Sequence, residues 1–268
     1  MSKTKYDIAV IGYGNMAAAI IKYTSAKFKI ICSDIDKQKL SGFIGKNVAI
    51  AADNHEAVAN AKYILLAVKP QSAAAALDGI DFSGKILISV MAGTSIASIY
   101  SIAKGVKGVV RVMPNLNAII GKSNNVYSYD GLSLVEKKYV ESFLEEFGQV
   151  IEITENKMNI VTGLSGSGPA FVLNFLWGMI SAGIKGGLSQ KEARDLAIAT
   201  LEGTAEHAKA LPPDPYLVLN SIDDVIERIC SPGGTTIEGV NHLEKTGNKF
   251  NIEKAVLLAK ERAEELSS

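Results

Sequence analysis

Tyr6-Asp7-Ile8-Ala9-Val10-Ile11, Gly12-Tyr13-Gly14-Asn15-Met16-Ala17 and Ala18-Ala19-Ile20-Ile21 follow one another without interruption, and this stretch decides the fold. A nearly continuous apolar run describes a strand buried on both faces, and the alanine- and isoleucine-rich run after the glycines describes a helix packed on it. Gly12 and Gly14 permit a tight turn, and Ala17, at the last position of G-x-G-x-x-A, lets helix and strand approach closely. A second apolar run, Lys29 to Cys32, completes a unit of about 30 residues. Strand, glycine turn, helix and strand in that order specify a parallel βαβ unit. The glycines alone would carry little weight.

Further strands are predicted at Tyr63 to Val68, Lys85 to Val90 and Gly108 to Val112, with helix-length segments between most of them. A strand at Asn125 to Tyr129, a helix at Ser133 to Phe147 and a strand at Gln149 to Ile153 close this half, giving a parallel sheet covered on both faces. From about Glu155 onward the strand pattern disappears. Helices are predicted at Asn156 to Leu164, Ala170 to Ile184, Gln190 to Lys209, Tyr216 to Arg228, Thr236 to Lys245 and Asn251 to Leu266. The fold class is therefore α/β, with residues 1–155 forming a dinucleotide-binding domain and residues 156–268 an all-helical one. A length of 268 residues suits two domains.

Composition excludes several functions. Lys plus Arg and Asp plus Glu both count 28, and no block of like charge could track a phosphate backbone, so nucleic acid is not an expected partner. Cys32 and Cys230 are far apart, and His55, His207 and His242 lack metal-ligand spacing, so no metal is expected and a cytoplasmic location is. The apolar run after Asp7 is too short for a signal peptide. Ala170 to Ile184 is shorter than a membrane span needs and includes Asn174, Gly178, Ser181 and Gly183, so it reads as a buried helix, with no membrane partner.

The turn Gly12-Tyr13-Gly14-Asn15-Met16-Ala17 offers backbone amides and a helix N-terminus to a pyrophosphate. Asp34 follows the second strand, 22 residues after Gly12. A carboxylate there accepts hydrogen bonds from ribose hydroxyls and repels a 2′-phosphate, which favours NADH over NADPH. Alternatively Asp34 caps the helix predicted from Asp36, and Ser33 with Lys37 is near enough in sequence to host a phosphate. The strand Tyr63 to Val68 ends in Ala67-Val68-Lys69-Pro70-Gln71, at the sheet edge where such folds bind ligands, and Lys69 is placed to meet a phosphate or nicotinamide.

Two segments of the second half put small residues and hydroxyls at a helix start: Leu164-Ser165-Gly166-Ser167-Gly168-Pro169-Ala170 and Ser231-Pro232-Gly233-Gly234-Thr235-Thr236. Consecutive amides in such places hold anions such as carboxylates. Thr235 with Glu238 also fits a capping box. His207 and His242 read as solvated or capping residues, Tyr127 and Tyr129 as packing residues, and Cys230 as a small buried filler.

Taken together, these motifs resemble pyrroline-5-carboxylate reductase over nearly the whole chain: Gly12 to Ala17, Ala67 to Gln71, Met91-Ala92-Gly93, Arg111-Val112-Met113-Pro114-Asn115, Leu164 to Ala170 and, most specifically, Ser231 to Thr236. The chain departs from that pattern at Leu116-Asn117, where the family usually has Thr-Pro, at Leu211 to Asp223 with its three prolines, and at Asp34. The resemblance implies a Rossmann-type domain followed by a helical domain that dimerises by interleaving with a partner, often within a larger ring of dimers. It implies reduction of L-1-pyrroline-5-carboxylate to L-proline with NADPH or NADH, the last step of proline biosynthesis. Cofactor contacts are implied at Gly12, Tyr13, Gly14, Asn15, Met16, Ser33, Asp34, Asn54, Ala67, Val68, Lys69, Pro70, Ala92 and Gly93. The amides of Gly233, Gly234, Thr235 and Thr236 with the Ser231 hydroxyl would hold the substrate carboxylate, and the Thr236 hydroxyl the ring nitrogen.

Three rival readings stand beside this one. A reductase of another cyclic imino acid would use the same site. A β-hydroxyacid dehydrogenase would share Gly163, Gly166 and Gly168, but Val172 and Leu176 stand where that family places lysine and asparagine. A nucleotide-sensing module would keep the fold without catalysis.

Overall fold

The computed structural model describes residues 4–41, 47–211 and 218–267. The prolines at 212, 213 and 215 and the helix start expected at Tyr216 lie outside the described residues. Residues up to Pro169, together with those from Val256 onward, form one compact unit, and Ala170–Ala255 another.

The first unit is built on an eight-stranded sheet: β1 (Tyr6–Ile11), β2 (Ile30–Ser33), β3 (Val48–Ile50), β4 (Ala61–Leu66), β5 (Ile86–Ser89), β6 (Gly108–Met113), β7 (Ser123–Asp130) and β8 (Gly148–Glu152), in the order β3-β2-β1-β4-β5-β6-β7-β8. Helices α1 (Asn15–Thr24), α2 (Lys37–Ser41), α3 (Asn54–Ala59), α4 (Pro70–Leu77), α5 (Ile96–Ile102) and α6 (Leu134–Leu144) connect the strands. The two-residue period of β1 explains its apolar run. Ile8 and Val10 pack with Ala17, Ile20 and Ile21 on one face, while Ala9 and Ile11 pack with Val58 and Leu77 on the other.

The sheet departs from the expected one in two places. The short edge strand β3 was not anticipated; it has three residues, none of them buried. β7 runs antiparallel to β6, whereas β8 is parallel to β7. Residues 114–122 are too few for a crossover, and Gly121, at φ 70°, ends a short 3-10 helix (Leu116–Ile120) that turns the chain back. Asn115 caps that helix by accepting from the Asn117 amide at 3.1 Å. A proline at 117 would have no N–H to give, so the Leu116-Asn117 departure and this cap go together.

After β8 the described chain is helical: α7 (Met158–Val161), α8 (Gly168–Lys185), α9 (Gln190–Lys209), α10 (Val218–Ile229), α11 (Thr235–Lys245) and α12 (Asn248–Ser267). Ser189 and Glu192 form a reciprocal capping box that starts α9, and Ala193 packs closely on Gly183. The expectation of a buried helix at Ala170 to Ile184 is corrected, because α8 contains no buried residue and Trp177 is 72% exposed. Nor is the helix short. The helical stretch Glu155–Lys185 has the length and composition of a membrane span, with no membrane in the structure. A helix whose Val172, Leu173, Phe175 and Trp177 are all left exposed by its own chain requires cover from elsewhere.

Candidate active site

The dinucleotide turn forms as the sequence requires. Gly12 has φ +91°, and a Cβ there would lie 2.8 Å from Val68 Cγ1 and 2.9 Å from the Ala67 carbonyl oxygen, so only glycine fits. Ala17 is fully buried under the helix it starts. Gly14 is the N-cap of α1, which receives no side-chain cap, and a Cβ on Gly14 would meet nothing within 4 Å. Amides with no cap, beside an open and exposed glycine, make a cradle that fits a pyrophosphate.

Asp34 is anchored to this turn. Its Oδ2 accepts from the Tyr13 amide at 2.6 Å and its Oδ1 from the Asp36 amide at 2.8 Å. The alternative role, capping the next helix, falls instead to Asp36, whose Oδ1 accepts from the Gln38 amide at 3.1 Å. Beneath the turn, burial pushes the Cys32 thiol up to about 12; the nearby Asp34 charge adds to this and Lys37 opposes it. That thiol is inert.

A cleft of about 650 Å³ opens beside the turn, lined by Gly12, Ser33, Asp34, Asn54 and Val68 among the expected residues. Asn54 is held there by its Nδ2, which donates to the Ala76 carbonyl at 2.9 Å. Of the two residues considered as phosphate hosts, Ser33 is buried, and Lys37 donates from Nζ to the carbonyls of Ala51 and Ala52 at 3.1 and 2.7 Å. Ile35, Asp53 and Gln71 also line the cleft and were not anticipated. Ile35, 100% exposed, could have been suspected from its place directly after Asp34.

Lys69 is exposed at the N-cap of α4, with Pro70 in the first turn. Ala92 is exposed, whereas Gly93 is buried: a Cβ there would lie 2.9 Å from Leu266 Cβ, so α12 seats against it.

The Arg111 to Asn115 motif grips the start of the long helix with Arg111 and Met113 of β6 and with Asn115 just after it. Buried Arg111 reaches Glu155 Oε1 from Nη1 at 3.3 Å and Asn159 Oδ1 from Nη2 at 3.2 Å. Met113 packs on Gly166, and Asn115 Nδ2 donates to the Ser165 carbonyl at 3.2 Å. The anion-holding reading of Leu164 to Ala170 is corrected here. Thr162–Gly166 is a π-helical turn closed by Ser167 N donating to Thr162 O at 2.9 Å, so this is no open helix start. Within the segment a Cβ on Gly166 would lie 3.3 Å from Met113 Sδ, and just before it Gly163 lets the chain pack against the Val256 carbonyl.

In the second unit, Ser231-Pro232-Gly233-Gly234 forms a turn in which the Gly234 amide donates to the Ser231 carbonyl at 2.9 Å. Proline second and glycine third, with Gly233 at φ +68°, correspond to a type II turn. The turn delivers Gly234 as N-cap of α11, with no side-chain cap, so the Thr235–Glu238 capping box does not form. Thr235 and Thr236 are exposed in the first turn, beside uncapped amides.

His207 and His242 are exposed near helix ends. Tyr127 is buried; its hydroxyl donates to Glu141 Oε1 at 2.5 Å, and its ring stacks with Tyr129. Cys230 is half-buried rather than buried. Among the described residues no group of His, Cys, Asp and Glu could hold a metal ion.

Comparison with known proteins agrees with both halves. The family model for pyrroline-5-carboxylate reductase dimerisation matches residues 155–266, and that for coenzyme F420-dependent NADP oxidoreductase matches residues 7–93. Pyrroline-5-carboxylate reductase from Aquifex aeolicus is 33% identical over 264 residues, 97% of each chain. The NADP-bound crystal structure of the Plasmodium falciparum pyrroline carboxylate reductase superposes with a TM-score of 0.87 at 28% identity over 100% of both chains. A crystal structure of 1-pyrroline-5-carboxylate reductase from Streptococcus pyogenes superposes with a TM-score of 0.84 at 26% identity, over 97% of this chain and 98% of that one. By sequence over 97% of its length, and by the dimerisation model of its second half, this chain belongs to the pyrroline-5-carboxylate reductase family of oxidoreductases.

Proposed function

We propose that this chain reduces L-1-pyrroline-5-carboxylate to L-proline with NAD(P)H, as the last step of proline biosynthesis in the cytoplasm, and that it works as a homodimer within a ring of dimers. We assign residues 1–155 to dinucleotide binding and 156–268 to substrate binding and dimerisation. The observation that carries the substrate reading is the type II turn at Ser231 to Gly234, which leaves the first-turn amides of α11 without a side-chain cap. The uncovered apolar surface of α8 supports the dimer.

Gly12, Tyr13, Gly14, Asn15 and Met16 would hold the pyrophosphate, Ser33, Asp34 and Asn54 the adenosine side, and Ala67, Val68, Lys69, Pro70, Ala92 and Gly93 the remainder. Bound NAD(P)H supplies a hydride to the carbon of the substrate's C=N bond. The amides of Gly233, Gly234, Thr235 and Thr236, with the Ser231 hydroxyl, fix the substrate by its carboxylate. The Thr236 hydroxyl hydrogen-bonds the ring nitrogen, where charge changes as the bond is reduced. A cyclic imine is basic enough to carry its own proton for part of the time, so these residues need only orient it. That agrees with exposed histidines lying outside the assigned machinery.

The test is turnover of pyrroline-5-carboxylate by the purified chain, followed at 340 nm with NADH and NADPH in parallel. Proline formation is expected. Oxidation of hydroxy acids would favour the dehydrogenase reading, and binding without turnover the sensor reading.

A further inference from the structure

We infer that this chain selects NADH over NADPH, and that Asp34 and Ile35 together read the adenosine end of the cofactor; the inference rests on the dinucleotide-binding reading above.

Asp34 is a fixed acceptor. Its two oxygens take the Tyr13 and Asp36 amides at 2.6 and 2.8 Å, one hydrogen bond each. A carboxylate has about four acceptor sites, so both oxygens keep capacity for ribose hydroxyls within the cleft. Turning away to admit a 2′-phosphate would break two charge-assisted backbone bonds at once. The side chain is thus held where it welcomes a hydroxyl and repels a phosphate.

Nothing among the described residues lining the cleft compensates for a second phosphate. Asp53 is a second carboxylate there, and Lys37 is the single cation. Two of its three N–H groups are taken by the carbonyls of Ala51 and Ala52, at 3.1 and 2.7 Å, which hold the ammonium at that loop. Lys39, further along α2, lies 3.8 Å from Asp36. A site that accepts a 2′-phosphate needs a free basic group at this rim.

Ile35 supplies the other half of the recognition. An isoleucine that is 100% exposed stabilises nothing within its own chain, yet it lines the same cleft directly beside Asp34. Its apolar face suits the flat face of a heterocyclic base, which would remove that surface from water.

Isothermal titration of the full-length chain with NAD+ and with NADP+, without imino acid, tests this independently of turnover. NAD+ is expected to bind at least about tenfold more tightly, as a like-charge contact dictates. Asp34→Asn, which keeps an acceptor but loses the charge, should shift the ratio towards NADP+ by about tenfold. Ile35→Ala should weaken both dinucleotides by a similar factor of roughly three to ten. Equal or tighter binding of NADP+ by the wild type overturns the inference. So does an unchanged ratio in Asp34→Asn, or failure of both dinucleotides to bind. Should the Asn variant not fold, competition of 5′-AMP against adenosine 2′,5′-bisphosphate for the wild-type site decides, with the bisphosphate expected to be at least about tenfold weaker. Tight NAD+ binding without reduction of pyrroline-5-carboxylate would sink the substrate reading alone.

Discussion

Asn115 and Ser165 are tied by a hydrogen bond of 3.2 Å from the Asn115 side-chain amide to the Ser165 carbonyl, joining the end of β6 to the π-helical turn. The same side chain caps the Asn117 amide with its oxygen. Asn115→Ala should therefore destabilise the chain by about 2 kcal/mol, two part-buried hydrogen bonds being lost. Asn115→Asp keeps the cap but sets a buried carboxylate oxygen against the Ser165 carbonyl, so in urea denaturation at about pH 7 it should be destabilised at least as much as Asn115→Ala. Equal midpoints for all three proteins would show that the tie contributes nothing.

Gly12→Ala combines a left-handed backbone with contacts to Val68 and to the Ala67 carbonyl oxygen that cannot relax cheaply. We expect a loss of about 2 kcal/mol in stability and dinucleotide binding weakened at least about tenfold. Calorimetric titration reads the second effect, and unaltered affinity would remove Gly12 from the cradle.

Thr236→Val preserves shape and deletes the hydroxyl assigned to the ring nitrogen. A fall in kcat/KM of about tenfold to a thousandfold is expected, with dinucleotide affinity unchanged, if one hydrogen bond that strengthens in the transition state is lost. Wild-type kinetics would reject that role.

Glu136 should contribute to the acid limb of stability. Burial alone would raise its carboxyl, but hydrogen bonds from Lys107 at 2.5 Å, Lys62 at 2.8 Å and Ser133 outweigh burial and hold it well below the usual carboxylate range. With the folded value depressed, its stabilisation is complete above the unfolded value of about 4.3 and is lost as pH falls towards the folded one. Glu136→Gln should lose about 2 kcal/mol at pH 7 and show a shallower decline below pH 4. Identical acid titration curves would disprove this.

How much could be read in advance divides by the range of the interaction. Local chemistry was legible: the bounds of β1 match Tyr6 to Ile11 and those of α9 match Gln190 to Lys209, because apolar period, glycine turn and capping box are written in adjacent residues. Asp34 was legible as the carboxylate that follows the second strand, but its bond to the Tyr13 amide depends on a fold-back across 21 positions. The reversal of β7 depended on Gly121 adopting a left-handed conformation, for which glycine gives permission but no instruction. The small residues of Leu164 to Ala170 do not distinguish the two needs, because close packing, as of Gly166 on Met113, and open amides select the same residue types.

The bare face of α8 has a thermodynamic corollary. If a second copy of the chain is what keeps Trp177 and Phe175 from water, association and folding of the helical unit are a single equilibrium. The melting midpoint should then climb with protein concentration, and at sufficient dilution the helical unit should come apart while the sheet, whose core is closed by its own chain, persists.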